Sequence, residues 1–379
     1  MRRVLVYVPR VLPLSLTFVA DQARSLRRWH PELVGRERLP GGLVVDDLLA
    51  PEMRETSGPT SPIPRMMGQV TRRAPLLREV VARTHPELIH AHFLTGGFDV
   101  VATLPAPPCP LVVTAHGFDA TWYGRPPRTL RPEQWLHGVL RRRLVRRPVH
   151  FVAVSHFIRD QLLRFGAPAD RVVVHHTGVD TSYFTPPEPG AERRGILFVG
   201  RLVEKKGVFD LLEAVARLRA DGIAPPVEII GDGPVRADVE RFVARERLDV
   251  RLRGAQPREE VRAAMQRAAV QCNPSRTAPN GDREGFGMVL AEAQATGLPV
   301  VASSSGGMVD AVDDGRTGLL VPEADPVAVS DALRRCLLED GLHARLSAAA
   351  RPWVVERFDL ARQAAVLEDL YDAWSSPNS

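Results

Sequence analysis

Twice along this chain, short runs rich in valine and isoleucine alternate with segments of helical pattern, and that alternation restricts the fold more than any other feature. In the first half the runs are RVLVYV (3–8), ELIHAHF (87–93), LVVTAH (111–116), HFVAV (150–154) and RVVVHH (171–176). They are short and nearly continuously apolar, as expected of strands buried on both faces. Helical patterns fall between them at Thr17 to Arg28, Arg65 to Arg83, Arg131 to Arg146 and Ser155 to Phe165. Strands separated by helices pair in parallel, because a helical crossover returns the chain to the same edge.

A Pro-rich polar stretch, TPPEPGAERRG (185–195), interrupts the pattern as a linker would. The alternation then restarts with GILFVG (195–200), VEIIG (227–231), DVRLRG (249–254), VQCNP (270–274), PVVAS (299–303) and GLLVP (318–322). Helices are expected at Val208 to Arg219, Arg236 to Glu246, Glu259 to Ala268 and Met288 to Thr296. The length, 379 residues, suits two domains rather than one core. The expectation is an α/β chain of two Rossmann-like doubly wound domains. The first covers 1–185, the second covers 186–359, and a final helix at 360–375 packs back on the first. Ligands in such sheets bind beyond the carboxyl ends of the strands, so the two domains are expected to face a cleft.

No apolar stretch approaches the roughly 20 residues a membrane-spanning helix needs, and Met1-Arg2-Arg3 leads directly into a strand rather than a signal peptide. A cytoplasmic location follows, with contact at the inner face of the membrane as an addition. Cys109, Cys272 and Cys336 are too dispersed for a disulfide framework or zinc site, and read as reduced thiols in a core.

Charge is divided unevenly. Residues 1–185 carry 25 arginines against 15 acids, whereas residues 186–379 carry 25 basic residues against 30 acids. Among all 50 basic residues only two are lysines, the adjacent pair Lys205 and Lys206. A basic nucleic-acid-binding protein would need an aromatic-interleaved basic sheet or a recognition helix, and neither motif occurs.

Three constellations carry chemistry. The first is Glu284-Gly-Phe-Gly-Met-Val-Leu-Ala-Glu292, with glycines ahead of a helical run starting near Met288. The amides after Gly287 would form a helix N-terminus suited to an anion, flanked by two carboxylates that accept from hydroxyls. Without a ligand the same residues make a helix-start acid and a solvated glutamate. The second is Gly200-Arg-Leu-Val-Glu-Lys-Lys-Gly207, following the strand ILFVG. Arg201 offers a planar fork and Lys206 a compact ammonium to a diphosphate whose charge grows as it departs; otherwise this is a solvated turn. The third is Thr114-Ala-His-Gly-Phe-Asp119, where His116 at a strand's carboxyl end can reach sugar hydroxyls or remain a core histidine. His90 and His92 share one strand face, as metal ligands could, but no cluster of acids or cysteines accompanies them. His175 and His176 point to opposite faces. Gly231-Asp-Gly-Pro234 reads as a structural strand-to-helix turn.

GRLVEKKG, IIGDGP and EGFGMVLAEAQATGLPVVAS, in this order, resemble the retaining family-four glycosyltransferases of GT-B fold, and TAHGFD, AVSHFIRDQL and HTGVD fit the same group. The resemblance covers residues 110–325. It implies Arg201 and Lys206 on the diphosphate of a nucleotide-sugar donor, Glu292 on the donor ribose, and Glu284 with the Gly285, Phe286, Gly287, Met288 and Val289 backbone on the donor sugar. His116 would lie at the reaction centre. Metal is usually dispensable in this family because Arg and Lys replace it, and no cofactor is implied. Where many members carry a Gly-Gly loop after the first strand, this chain has Pro9 to Gln22, with an S-x-T-F pattern at Ser15 and Thr17 similar to exopolysaccharide transferases. Ser15, Thr17, His116 and Ser155 are therefore the acceptor-binding candidates.

The implied reaction moves a hexosyl group from a UDP-sugar, or second a GDP-sugar, to the hydroxyl of a lipid-linked glycan or a natural-product aglycone. No second carboxylate stands where a covalent nucleophile must be, which favours front-side attack assisted by the departing diphosphate. A GT-B phosphorylase and a nucleotide-sugar epimerase are the rival enzymes. The run Arg125 to Arg147 holds eight arginines against Glu133 alone, with Trp122, Tyr123 and Trp135 beside or within it. It is a solvated basic face or a surface for anionic lipid.

Overall fold

The computed structural model describes residues 2–11, 17–38, 44–54, 74–121 and 132–376. They form two compact units, Met1–Gly178 with Leu360–Ser379, and Val179–Asp359.

The first unit is a six-stranded sheet in the order β2-β1-β3-β4-β5-β6, every pair parallel. Its strands are β1 (Arg2–Val11), β2 (Trp29–Arg38), β3 (Leu88–His92), β4 (Leu111–Ala115), β5 (Val149–Ala153) and β6 (Val172–Val174). The connecting helices are α1 (Thr17–Ser25), α2 (Pro75–Thr84), α3 (Phe93–Thr103), α4 (Phe118–Thr121), α5 (Pro132–Val145) and α6 (His156–Arg164). β3 and β4 are buried at all five positions, which is why they read as unbroken apolar runs.

Strand β2 was not expected from sequence. Its residues, WHPELVGRER, mix charge and a proline, and both are tolerated because β2 is the edge strand, paired with β1 on one side and meeting only an isolated bridge from Leu33 to Leu49 on the other among the described residues. The helix α3 was also unexpected: FLTGGFDVVAT is mostly buried and holds two adjacent glycines, so it shows neither an amphipathic stripe nor good helix propensity.

The second unit repeats the plan in the order β12-β11-β10-β7-β8-β9. Its strands are β7 (Ile196–Val199), β8 (Val227–Ile230), β9 (Val250–Gly254), β10 (Val270–Asn273), β11 (Val300–Ser303) and β12 (Gly318–Val321). The longer helices are α7 (Val208–Ala220), α8 (Arg236–Glu246), α9 (Arg258–Arg267), α10 (Met288–Ala295), α11 (Pro326–Leu338) and α12 (Leu342–Phe358). The last two were unexpected. Helix α11 nonetheless carries a start signal, the Asp325 side chain accepting from the Ala328 N–H at 3.0 Å with Pro326 behind it. Helix α12 contains Pro352, which breaks the sequence pattern without ending the helix. The Pro-rich segment after residue 185 belongs to this unit. The Gln266 amide donates to the carbonyl of Thr185 at 2.8 Å, and the Arg194 N–H donates to the carbonyl of Arg267 at 2.8 Å.

Helix α13 (Leu360–Trp374) returns to the first unit. The buried Glu368 carboxylate accepts from the N–H groups of Arg27 at 2.7 Å, Arg28 at 2.6 Å and Trp29 at 3.1 Å. The Trp29 indole donates to Asp372 at 3.0 Å. A strand start and a helix more than 300 residues later thus satisfy each other's polar groups, since unpaired buried N–H groups are costly.

Candidate active site

In the second unit the loops following β7, β10 and β11 assemble around the two lysines. β7 ends at Val199, and the chain passes Gly200 and the exposed Arg201 into a single 3-10 turn, Glu204–Lys206, closed by Gly207 at φ 68°. A Cβ on Gly207 would lie 1.8 Å from the Pro274 carbonyl oxygen, so no side chain fits. A Cβ on Gly231 would lie 1.9 Å from the Gly200 carbonyl oxygen, which gives Gly231-Asp-Gly-Pro234 the structural role expected of it. Backbone crossing backbone at this range holds the lysine turn against its neighbours.

Both lysines reach the loop after β10. Lys205 Nζ is 3.0 Å from Asp282, and Lys206 Nζ is 2.5 Å from Glu284 Oε2. Burial raises the Glu284 carboxyl, but the ammonium groups of Lys206 and Lys205 outweigh it and hold the carboxyl below its ordinary value. The Glu284 backbone is fixed as well, its carbonyl accepting from the Gly307 N–H at 2.9 Å. Behind the turn, Arg276 is 3.3 Å from Asp210, and its N–H donates to the Lys205 carbonyl at 2.8 Å. Burial raises the Asp210 carboxyl more than Arg276 lowers it. Glu323 accepts from the Thr277 N–H, the Thr277 hydroxyl at 3.0 Å and the Ser305 hydroxyl at 2.8 Å. Its own burial raises the carboxyl, and these donors bring it below the usual range. Asp282, Arg276 and Glu323 were not singled out from sequence, since isolated charges in a loop carry no spacing signal.

Helix α10 starts at Met288 as expected, capped by Gly287 at φ 88°, and no side chain caps its first turn. The carboxylate of Glu284 precedes this end, and the half-buried Glu292 lies about one turn into the helix. Gly285 and Phe286 are buried between them; the Phe286 ring is 3% exposed and packs edge-on against Phe358, so only its backbone can meet a ligand.

In the first unit His116 follows β4 and is half-buried. Its Nε2 lies 2.9 Å from His92 Nδ1, and the rings of Phe93 and Phe18 stand 4.7 Å and 5.0 Å away. Burial lowers its pKa well below the ordinary histidine value, so the imidazole is neutral near pH 7. Thr17 opens α1, one residue before Phe18, which puts that helix start beside His116; Ser15 lies outside the described residues. Ser155 is fully buried, and its hydroxyl accepts from the Ile158 N–H at 3.2 Å as the N-cap of α6. Ser155, named above as an acceptor-binding candidate, thus has a capping role.

His90 and His92 do share a face, their rings stacked at 4.4 Å, but they are not arranged as metal ligands. His90 Nδ1 lies 2.5 Å from the Tyr371 hydroxyl and His90 Nε2 lies 2.6 Å from the Thr114 hydroxyl, so both ring nitrogens are taken. Of the basic run, Arg125, Arg128, Arg131, Trp122 and Tyr123 lie outside the described residues, as does the side chain of Trp135. Arg141 is drawn in over the Phe165 ring at 3.3 Å, and burial brings its pKa down to about 10, which removes it from the surface stripe. Arg142, Arg143, Arg146 and Arg147 are exposed.

Residues 183–353 match the model of Glycosyl transferases group 1, and residues 17–183 match that of Glycosyltransferase Family 4. The amylovoran biosynthesis glycosyltransferase AmsK of Erwinia amylovora is 34% identical over 186 residues, 48% of this chain and 46% of AmsK, so the chain spans about half the length of that relative. The D-inositol 3-phosphate glycosyltransferase of Corynebacterium glutamicum is 31% identical over 314 residues, 77% of this chain and 73% of that protein. Among solved structures, Anabaena HepE in complex with UDP superposes with a TM-score of 0.75 over 98% of this chain and 100% of HepE, at 19% identity, a likeness of fold. With both halves matched and one relative similar over most of its length, the chain belongs to glycosyltransferase family 4 and has the GT-B fold.

Proposed function

We propose that the protein is a retaining hexosyltransferase that takes its sugar from a UDP-sugar and delivers it to the hydroxyl of a lipid-linked glycan at the cytoplasmic face of a membrane. The carrying observation is the Lys206–Glu284 pair, 2.5 Å apart beside the start of α10, where no side chain caps the first turn. A cation, an ionised carboxylate and outward-facing helix amides within one loop suit a diphosphate next to a polyhydroxyl ring. Polysaccharide synthesis is supported by the name of AmsK, and UDP by the ligand in HepE.

The bond from the sugar C1 to the diphosphate oxygen breaks, a bond from C1 to the acceptor oxygen forms on the same face, and the acceptor proton passes to the departing diphosphate. Arg201 and Lys206 neutralise the charge that grows on the leaving group, the part a divalent cation takes elsewhere. Glu284 accepts from donor-sugar hydroxyls, Glu292 accepts from the ribose, and neutral His116 hydrogen-bonds the sugar.

The test is nucleoside-diphosphate release, UDP or GDP, from a panel of UDP- and GDP-sugars, with and without a lipid-linked acceptor, in chelator. The expected result is acceptor-dependent release from a UDP-sugar and a product with the donor's anomeric configuration. Release that needs inorganic phosphate, or conversion of the sugar without an acceptor, would assign the fold to a phosphorylase or an epimerase instead.

A further inference from the structure

His92 was set aside in the sequence reading, and its surroundings give it a job. It ends β3, is 1% exposed, and its Nδ1 stands 2.9 Å from Nε2 of His116, which is half-buried one strand over. The two strands are in register at His92 and Thr114. The loops that leave them share one clamp. The buried Asp119 carboxylate accepts from the N–H groups of Leu94 at 2.8 Å, Gly117 at 2.9 Å and His116 at 3.2 Å. Between His92 and Leu94 the chain turns through Phe93 at φ 66°, a left-handed conformation disfavoured for a non-glycine residue. A corner held that way by the surrounding structure is a mark of a functional site.

We propose that His92 is a positioning residue that fixes the tautomer of His116, and thereby decides whether His116 offers the sugar a proton donor or a lone pair. Burial keeps both rings neutral, His92 with a pKa of about 3 and His116 well below the ordinary value. Only one proton can lie between His92 Nδ1 and His116 Nε2. If His92 donates, its proton is on Nδ1, and His116, accepting at Nε2, carries its own proton on Nδ1. If His116 donates, its proton is on Nε2, and His92, accepting at Nδ1, carries its own on Nε2. The shared bond therefore imposes the same tautomer on both residues, and the buried member sets what the accessible member presents.

The inference rests on the proposed placement of His116 at the reacting sugar, and the experiment separates the two. In the unaltered, 15N-histidine-labelled protein, long-range 1H–15N spectra are expected to show His92 and His116 both protonated at Nδ1 or both at Nε2; opposite tautomers, or a charged ring at pH 7, would overturn the inference. His92→Phe keeps the stacked ring and removes the nitrogen. It is expected to lower kcat on the order of 10- to 100-fold, at or below the low end of the roughly 100- to 10,000-fold that a positioned proton donor or acceptor itself contributes, because His116 stays in place, at wild-type UDP affinity. His92→Asn, whose amide reaches the Nδ1 position, is expected to restore most of the loss. Wild-type kcat in His92→Phe alongside a crippled His116→Ala would defeat the role of His92 alone. Wild-type kcat in His116→Ala would defeat the parent reading.

Discussion

Lys206 is paired at 2.5 Å with the Glu284 carboxylate beside the start of α10, and single substitutions there are the most informative. Removing a charge-assisted contact to a leaving group typically costs about 2–4 kcal/mol of transition-state stabilisation, roughly 30- to 1000-fold in rate. Lys206→Ala and Arg201→Ala are each expected to lower kcat/KM by that order, with the melting temperature near wild type in Arg201→Ala and lowered in Lys206→Ala, which leaves the Glu284 carboxylate without its nearest cation; a folded double variant with wild-type kcat/KM would refute the assignment. Glu284→Gln tests the other half of the pair. Because Glu284 is held below its ordinary value of 4.5, it contributes stability that is present above that pH and lost as pH falls through its lower folded value. Thermal melts from pH 6 to pH 3 are expected to fall less steeply in Glu284→Gln than in wild type. Glu292→Ala is expected to weaken UDP binding in calorimetry, with a smaller effect on kcat at saturating donor. These residues were visible in sequence because rare lysines and a glycine-flanked carboxylate pair form a pattern. The roles of Asp119 and His92, both within runs named from the sequence, were not, because they depend on which loops and rings the sheet register brings beside them.

Strands were legible chiefly where short runs carry valine, isoleucine and leucine. All six strands of the second unit stand where their apolar runs predicted, and α8 starts and ends on the expected residues. The edge strand β2 and helices α3 and α12 escaped, because charge, paired glycines or an internal proline dilute their periodicity; α11 escaped despite its start signal at Asp325 and Pro326. Two element ends can be tested. Ser155→Ala removes a cap and is expected to cost about 1 kcal/mol, about 2–4 °C in melting temperature for a unit of this size. Activity per folded molecule should be unchanged; a raised acceptor KM would return Ser155 to the acceptor site. Gly207→Ala forces a Cβ toward the Pro274 carbonyl at φ 68°, so the lysine turn must shift. Its expected signature is a lower melting temperature together with a loss of kcat, and an intact kcat would mean that the turn tolerates displacement.

At the scale of the whole molecule the uneven charge has a consequence that depends on the acceptor. Residues 1–185 are net +10, residues 186–379 net −5, and among the described residues no helix is long and apolar enough to cross a membrane. The lipid-linked acceptor proposed above would bring this basic charge to an anionic surface. The described end of the basic run supplies four exposed arginines, Arg142, Arg143, Arg146 and Arg147, while Arg141 is committed to Phe165. Each basic side chain near an anionic leaflet contributes about 1 kcal/mol, so four give weak, reversible docking that salt screens. Co-sedimentation with vesicles of phosphatidylglycerol and phosphatidylcholine is expected to recover the protein at low ionic strength. Recovery should fall with added salt and fail on phosphatidylcholine alone. Changing Arg142, Arg143, Arg146 and Arg147 together to Glu should abolish recovery, while Arg141→Gln should leave it unchanged and instead lower the melting temperature, because its guanidinium is packed on a ring. Equal binding by the fourfold variant would remove the membrane from the mechanism, and an acceptor free in solution, such as a natural-product aglycone, would then fit the charge pattern as well as a lipid-linked one.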